Sequence, residues 1–368
     1  MRNDKCQMSN DKNTDYTEKR TQIPKPKIII SGVGTGGHYF PAVVVAHELL
    51  KRRVGVLVLV RQGYKEEKIA HSYGLDISYT KARPFYGKSI FQKVIFILSL
   101  MYSIYKLGSL TKKSIGLTFG GFGSLPLIIS CLINRSPFYM FEPNRIPGRA
   151  TQLFISRAQK VFLGLPLATS LKDDCIVTGI PIRQEFKSLE KKYSKKTDPY
   201  KKILFYGGSQ GAQRLNRLAL ELQRILSKKY KIVIISGERD YHWVNSKRNG
   251  RTEVVPFTLT PWSEIEEADV IISRSGALAG YEILSSNKPV IFIPFPFAVD
   301  DHQYYNAEYF SSIGNATLIH EKDATEKIVA EKITELIQKR VERKTEIISD
   351  AEQRIVDVIL KEINYGKH

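Results

Sequence analysis

Short apolar runs alternate with stretches of helical periodicity along most of the chain. "KIII" at 27–30 reads as a strand, "PAVVVAHELLKRR" at 41–53 as a helix, and "VGVLVLV" at 54–60 as a second strand. "IGLTFG" at 115–120, "PFYMFE" at 137–142 and "KVFLG" at 160–164 continue the strand series. These runs are apolar without alternation, as expected of parallel strands covered on both faces. The β-then-α order predicts a doubly wound α/β sheet. A charged stretch at 184–202 then interrupts the pattern, which begins again at "ILFYGGSQGAQRLNRLALELQRIL" with "KIVIISG", "DVIIS" and "PVIFIPF" after it. Two Rossmann-like halves are predicted, each opening on a glycine turn. The expected division is a disordered tail at 1–26, a first domain at 27–183, a linker at 184–202 and a second domain at 203–344.

Composition changes this picture little. Fifty-six Lys and Arg against 37 Asp and Glu give a formal charge of +19. Such an excess suits an anionic partner or reflects a lysine-rich composition. No nucleic-acid-binding signature accompanies it, so an anionic membrane or a phosphorylated substrate is expected before nucleic acid. Cys6, Cys131 and Cys175 are too few and too scattered for a disulfide framework or a zinc site, which fits a reducing compartment. The tail lacks the apolar core of a signal peptide. The longest uncharged run near residue 100, "VIFILSLMYSIY", has 12 residues, short of the ~20 that span a bilayer, so no transmembrane helix is expected. With Lys88, Lys93, Lys106, Lys112 and Lys113 around it, the region 90–107 reads either as a core helix or as a basic-rimmed apolar patch for anionic lipid.

The loops carry the chemistry. Gly32, Gly34 and Gly37 satisfy G-x-G-x-x-G between a strand and a helix, the fingerprint of dinucleotide sites. That fingerprint also needs an acid at the end of the second strand, where this chain has Arg61-Gln62-Gly63. NAD is therefore disfavoured, and NADP survives only if Arg61 meets a 2′-phosphate. His38 at the mouth of the helix is either a capping and packing residue or a base at the domain cleft. "GGSQGAQ" at 207–213 lets backbone approach a ligand, with Ser209 and Gln210 as polar contacts. "RSGALAGYE" at 274–282 offers free helix N–H groups for a diphosphate, with Glu282 one turn in to hold a ribose diol. No D-x-D carboxylate pair is present, so no metal is expected.

Taken in order, "GTGGHYFPA", "FGGFGSLP", "EPN", "GIPIR", "GGSQGAQRLN", "RSGALAGYE" and "DDHQYYNA" resemble the MurG family over roughly residues 27–340. The resemblance implies a GT-B fold, two Rossmann-like domains across a cleft, with residues 345–368 returning to the first domain. It implies inverting transfer of N-acetylglucosamine from UDP to lipid I, giving the peptidoglycan precursor lipid II, without a cofactor. It implies a peripheral position on the cytoplasmic face of the cell membrane, beside other cell-wall synthesis proteins. By position, Thr35, Gly36, Gly37, Asn144, Arg183, Ser209, Thr258, Gln303 and the run Ala277, Leu278, Ala279, Gly280, Tyr281 and Glu282 fall to UDP-N-acetylglucosamine. Gly34, His38, Gly121, Phe122 and Ser124 fall to the acceptor, with His38 as the candidate base. The departures are Val33, Phe122, Leu125, Ala279 and "EPN" for the usual "EQN", mostly on the acceptor side. Sister readings remain: another GT-B enzyme such as a glycolipid synthase or a UDP-N-acetylglucosamine epimerase, or an NADP-dependent reductase.

Overall fold

The computed structural model describes residues 28–82, 89–169, 174–189, 200–208, 211–226, 228–338 and 347–365. The expected tail at 1–26, most of the expected linker, Lys88 and Ser209 lie outside them. Two parallel sheets form. The first contains β1 (Ile28–Ser31), β2 (Val56–Val60), β3 (Asp76–Tyr79), β4 (Ile115–Thr118), β5 (Phe138–Glu142), β6 (Val161–Leu163) and β7 (Cys175–Val177), in the order β3-β2-β1-β4-β5-β6-β7. The second contains β8 (Lys201–Tyr206), β9 (Tyr230–Ile235), β10 (Thr252–Val255), β11 (Val270–Ser273), β12 (Val290–Phe292) and β13 (Ala316–Leu318), in the order β10-β9-β8-β11-β12-β13. Every recorded pair is parallel, including β1 with β4 and β8 with β11.

Helices cover the sheets. In the first half they are α1 (Gly36–Lys51), α2 (Lys65–Ser72), α3 (Ile90–Thr111), α4 (Leu125–Asn134), α5 (Arg149–Phe154) and α6 (Gln184–Leu189). In the second they are α7 (Gln213–Leu226), α8 (Tyr241–Ser246), α9 (Pro261–Glu267), α10 (Ala277–Ser285), α11 (His302–Ile313) and α12 (Glu326–Gln338). The last, α13 (Ala351–Tyr365), lies back on α1, where Arg52 Nη1 meets Asp357 Oδ1 at 3.0 Å and Tyr139 Oη donates to Glu362 Oε2 at 2.6 Å.

Both sheets reverse their winding at a central strand pair. Ligands of such sheets bind beyond the strand C-termini at that reversal. In the first sheet the reversal falls between β1 and β4, whose following loops are "GVGTGGH" and "FGGFGS". In the second it falls between β8 and β11, followed by "GGSQGA" and "RSGA". Topology thus brings together the loops that the sequence singles out. Gly32 makes the first turn feasible: a Cβ there would lie 2.6 Å from the Cβ of Ala42, so only glycine lets α1 pass this close to the strand end.

One expectation needs correction. α3 runs for 22 residues, and its Phe91–Thr111 span is long and apolar enough by composition to cross a membrane. The 12-residue uncharged run understated it because the helix continues through Lys93 and Lys106. Only 28% of that span is buried. Its inner face is tied to α4: Thr111 Oγ1 pairs with Ser130 Oγ at 2.9 Å, and Asn134 Nδ2 donates to the Gly108 carbonyl at 2.7 Å. Ser103, Leu107 and Thr111 are buried, whereas Phe91, Leu98, Met101 and Tyr105 are 60–86% exposed.

Candidate functional site

A cavity of about 780 Å³ opens between the two sheets. Its first wall is the start of α1, Thr35 to His38, with Phe40 and Arg183. Its second wall comprises the loop after β8, the start of α10 from Gly276 to Ala279, and Glu282, His302 and Gln303. Ten of the residues singled out from sequence line it together: Thr35, Gly36, Gly37, His38, Arg183, Ala277, Leu278, Ala279, Glu282 and Gln303.

His38 is half-buried, with Nδ1 3.1 Å from Thr35 Oγ1. Its ring rests on Gly120 and Gly121, at φ of 81° and 72°; a Cβ at Gly120 would lie 3.2 Å from His38 Cδ2. A side chain at either glycine would strain the backbone and crowd the imidazole. Desolvation, then the nearby His302, push the proton affinity of His38 down to about 4, so it is neutral at physiological pH. His302 Nδ1 donates to the Val299 carbonyl at 2.8 Å, which leaves Nε2 as its free ring nitrogen.

The second wall is built for anions. α10 has no side-chain cap, and its first-turn N–H groups at Ala277, Leu278 and Ala279 border the cavity. Glu282 is buried, and its Oε1 accepts from Arg183 Nε at 3.3 Å and Nη2 at 3.1 Å. Burial pushes the Glu282 carboxyl up to about 7 although Arg183 pulls it down. Arg183 also donates to the Leu259 carbonyl at 3.1 Å and lies over Phe40 and Trp262. It is therefore engaged with protein groups on several sides.

Several singled-out residues lie outside the lining. Asn144 bridges the halves: its Oδ1 accepts from Asn306 Nδ2 at 3.0 Å while Nδ2 donates to the buried Glu142 at 3.1 Å. Thr258 Oγ1 accepts from the Thr260 N–H at 3.0 Å. Gly280 packs on Phe310, and Tyr281 points inward with its hydroxyl on the Ile348 carbonyl at 3.0 Å. Ser124 Oγ donates to the Gly120 carbonyl at 2.7 Å, and Gly121 lies against the His38 ring. Phe122 faces Gly34. Arg61, which an NADP reading needs free, is paired with Glu66 at 2.7 Å.

Sequence reasoning passed over Arg214, Arg239 and Arg274, all on the second wall. Arg274 is the most firmly held, on the Ile293 and Pro294 carbonyls and on Glu321 at 2.5 Å. A signal was present: Arg239 and Arg274 each follow closely on the C-terminal end of a parallel strand. Among the described residues no three His, Cys, Asp or Glu side chains gather as a metal site.

Comparison with known proteins agrees with this architecture. Residues 28–163 match the glycosyltransferase family 28 N-terminal domain, and residues 202–360 its C-terminal domain. A solved structure of Acinetobacter baumannii MurG superposes with a TM-score of 0.67 at 24% identity, covering 91% of this chain and 99% of that one. The curated UDP-N-acetylglucosamine–N-acetylmuramyl-(pentapeptide) pyrophosphoryl-undecaprenol N-acetylglucosamine transferase of Aquifex aeolicus is 30% identical, over 90% of this chain and 99% of its own. Its namesake from Sulfurihydrogenibium sp. is 32% identical over 91% and 98%. With two cleft-facing Rossmann-like halves and relatives matched over nearly their whole length, the chain belongs to this family of N-acetylglucosamine transferases, the MurG family.

Proposed function

We propose that the chain moves N-acetylglucosamine from UDP-N-acetylglucosamine to lipid I, giving lipid II. The observation that carries this reading is the cavity in which an uncapped helix start and Glu282 face a neutral His38 across the cleft. On the donor side, the N–H groups of Ala277, Leu278 and Ala279 take the diphosphate, Glu282 the ribose, the Thr258 backbone the uracil, and Gln303 the sugar. Gln303 is already oriented: its Oε1 accepts from the Phe295 N–H at 3.0 Å, which turns the amide N–H₂ to its substrate. Ser209 completes this set by its place in the motif, and Asn144, held by Asn306, contacts the sugar.

On the acceptor side, Gly34 and the loop Gly121, Phe122 and Ser124 seat the diphosphate of lipid I, with Thr35, Gly36 and Gly37 between it and the transferred sugar. The acceptor 4-hydroxyl oxygen attacks the anomeric carbon as the bond to UDP breaks, with inversion. The hydroxyl proton passes to His38, and the bond pair leaves with UDP. Helix N–H groups, with Arg214 and Arg239 on the same wall, offset the charge on the leaving diphosphate.

The exposed apolar face of α3 supports a peripheral seat on an anionic membrane, where lipid I resides. Lys81 lies 4.4 Å over the Tyr102 ring and Lys106 donates to the Tyr79 carbonyl, so cations flank that face. The decisive measurement is transfer of labelled N-acetylglucosamine from its UDP donor to a lipid I analogue. Absence of labelled product, with UDP binding intact, overturns the reading.

A further inference from the structure

The segment from β2 into α2 touches both halves of the molecule. Glu66 is buried, and its carboxylate accepts from the Gly34 N–H at 3.3 Å and the Arg61 N–H at 3.2 Å. It also receives Arg61 Nε at 3.1 Å and Nη2 at 2.7 Å. Arg61 Nη2 donates as well to the Gly34 carbonyl at 3.2 Å, so this pair grips both polar groups of Gly34. The guanidinium lies 4.0 Å from the Tyr64 ring centre and 5.8 Å from that of Phe122. The loops after β1 and β4 thus lean on one arginine.

The residue between Tyr64 and Glu66 faces the other half. Lys65 Nζ is 2.9 Å from Glu238 Oε1 and 3.8 Å from the centre of the Phe257 ring. Glu238 follows β9, and Phe257 follows β10 and directly precedes Thr258. A cation from the first half therefore sits on the segment assigned above to uracil. Its neighbour in the same helical turn holds the loop assigned to the acceptor.

We propose that Arg61, Lys65 and Glu66 form a positioning element that couples the two substrate sites. The inference rests on the proposed function and adds a partner to each site. Nucleotide that settles the Phe257–Thr258 segment favours the Lys65 contact, which exists only when the halves approach. Closing that contact seats the first turn of α2, and through Glu66 it fixes Gly34 for the acceptor. Coupling of this kind is reciprocal, so acceptor must tighten nucleotide by the same factor. Both Lys65 contacts are exposed, and exposed ion pairs and cation–π contacts together amount to about 5-fold.

The test uses the full chain and a lipid I analogue. UDP affinity is measured by calorimetry with and without the analogue, and acceptor KM is measured at saturating donor. In the parent, the analogue tightens UDP about 5-fold. Lys65→Ala brings that ratio to about 1 and raises acceptor KM by a similar factor, while kcat at saturation of both substrates holds. Lys65→Arg keeps both contacts available and retains the ratio. Glu66→Gln raises acceptor KM while UDP affinity without acceptor stays at the parent value. Lys65→Ala with the parent's ratio and the parent's acceptor KM overturns the coupling alone. A parent that transfers no sugar overturns the proposed function, and the coupling with it.

Discussion

The loops after β1 and before α10 both lie at the winding reversals of two similar sheets, on opposite members of the central strand pair, yet they are finished differently. At the first, side chains close over the turn: Glu66 takes the Gly34 N–H, and His38 lies across Gly120 and Gly121. Neither α1 nor α10 has a side-chain cap, but at the second the turn is left bare: nothing lies within 4 Å of a Cβ built on Gly276, and arginines line the cavity nearby. A bare helix start suits a compact anion, because N–H groups and the helix dipole act at short range. A clad turn gives up some of that pull and gains a neutral imidazole in reach of a hydroxyl. On the proposed function, one supersecondary unit serves two chemistries, according to which side chains fill its turn.

The largest expected effect tests the clad side. His38→Ala lowers turnover by about 10²–10⁴, the scale of a positioned base, with UDP affinity unchanged. Because the proton affinity of His38 falls to about 4, its neutral form persists through mildly acidic pH. The parent rate limited by this group declines only as pH approaches 4. A decline centred at 6.5 that disappears in His38→Ala contradicts the desolvated site, and collapse of UDP affinity moves His38 to the donor wall or the fold.

On the bare side, Glu282→Ala weakens UDP binding by about 1–3 kcal/mol, the scale of charge-assisted hydrogen bonds. It also strands the buried Arg183, so stability falls with it. Arg183→Met in the same chain relieves that second loss but not the first, and chemical denaturation beside calorimetry separates them. Equal UDP affinity in Glu282→Ala and parent ends the ribose role.

Reading these sites from sequence had a physical boundary. Strands buried on both faces stood out as unbroken apolar runs, as at β1, β5 and β11. The edge strands β3, β7, β10 and β13 did not. "DISY" is exposed at both ends, "CIV" and "ATL" are only three residues long, and "TEVV" alternates. The ordered loop motifs pointed to one cleft, and the fold gathers most of them there. Side-chain pairing was not legible: no local pattern links Arg183 to Glu282, 99 residues away, or Gly34 to Glu66.

Smaller effects separate the outer surfaces. Reversing Lys93, Lys112 and Lys113 reduces binding to anionic vesicles by about 1 kcal/mol per charge near the surface, while turnover of a water-soluble acceptor stays constant. Vesicle flotation that shows no difference returns α3 to a purely structural cover. The smallest effect expected is none: activity persists in excess EDTA, since N–H groups and arginines, rather than a D-x-D metal pair, border the cavity proposed for the diphosphate. Loss of activity restored only by Mg²⁺ or Mn²⁺ refutes this.

The return of α13 to α1 bears on how the molecule is made. Ile355, Val356 and Ile359 are fully buried in the core cluster that also contains Val43, Ala46 and Leu49 of α1. Residue 351, where α13 starts, is 300 positions beyond Lys51, where α1 ends. At about 5–20 residues per second, the apolar back of α1 waits some 15–60 s on the ribosome for its cover. One face of the second sheet, whose core cluster runs from Ile203 to Leu336 without a residue of the first half, can close during that interval, whereas its other face, with Leu204, Val233 and Ile271, shares the cluster that α13 completes. The half that starts synthesis thus waits for the end of the chain, and a nascent chain stalled before residue 351 leaves open the back of α1 and the core cluster that the two halves share.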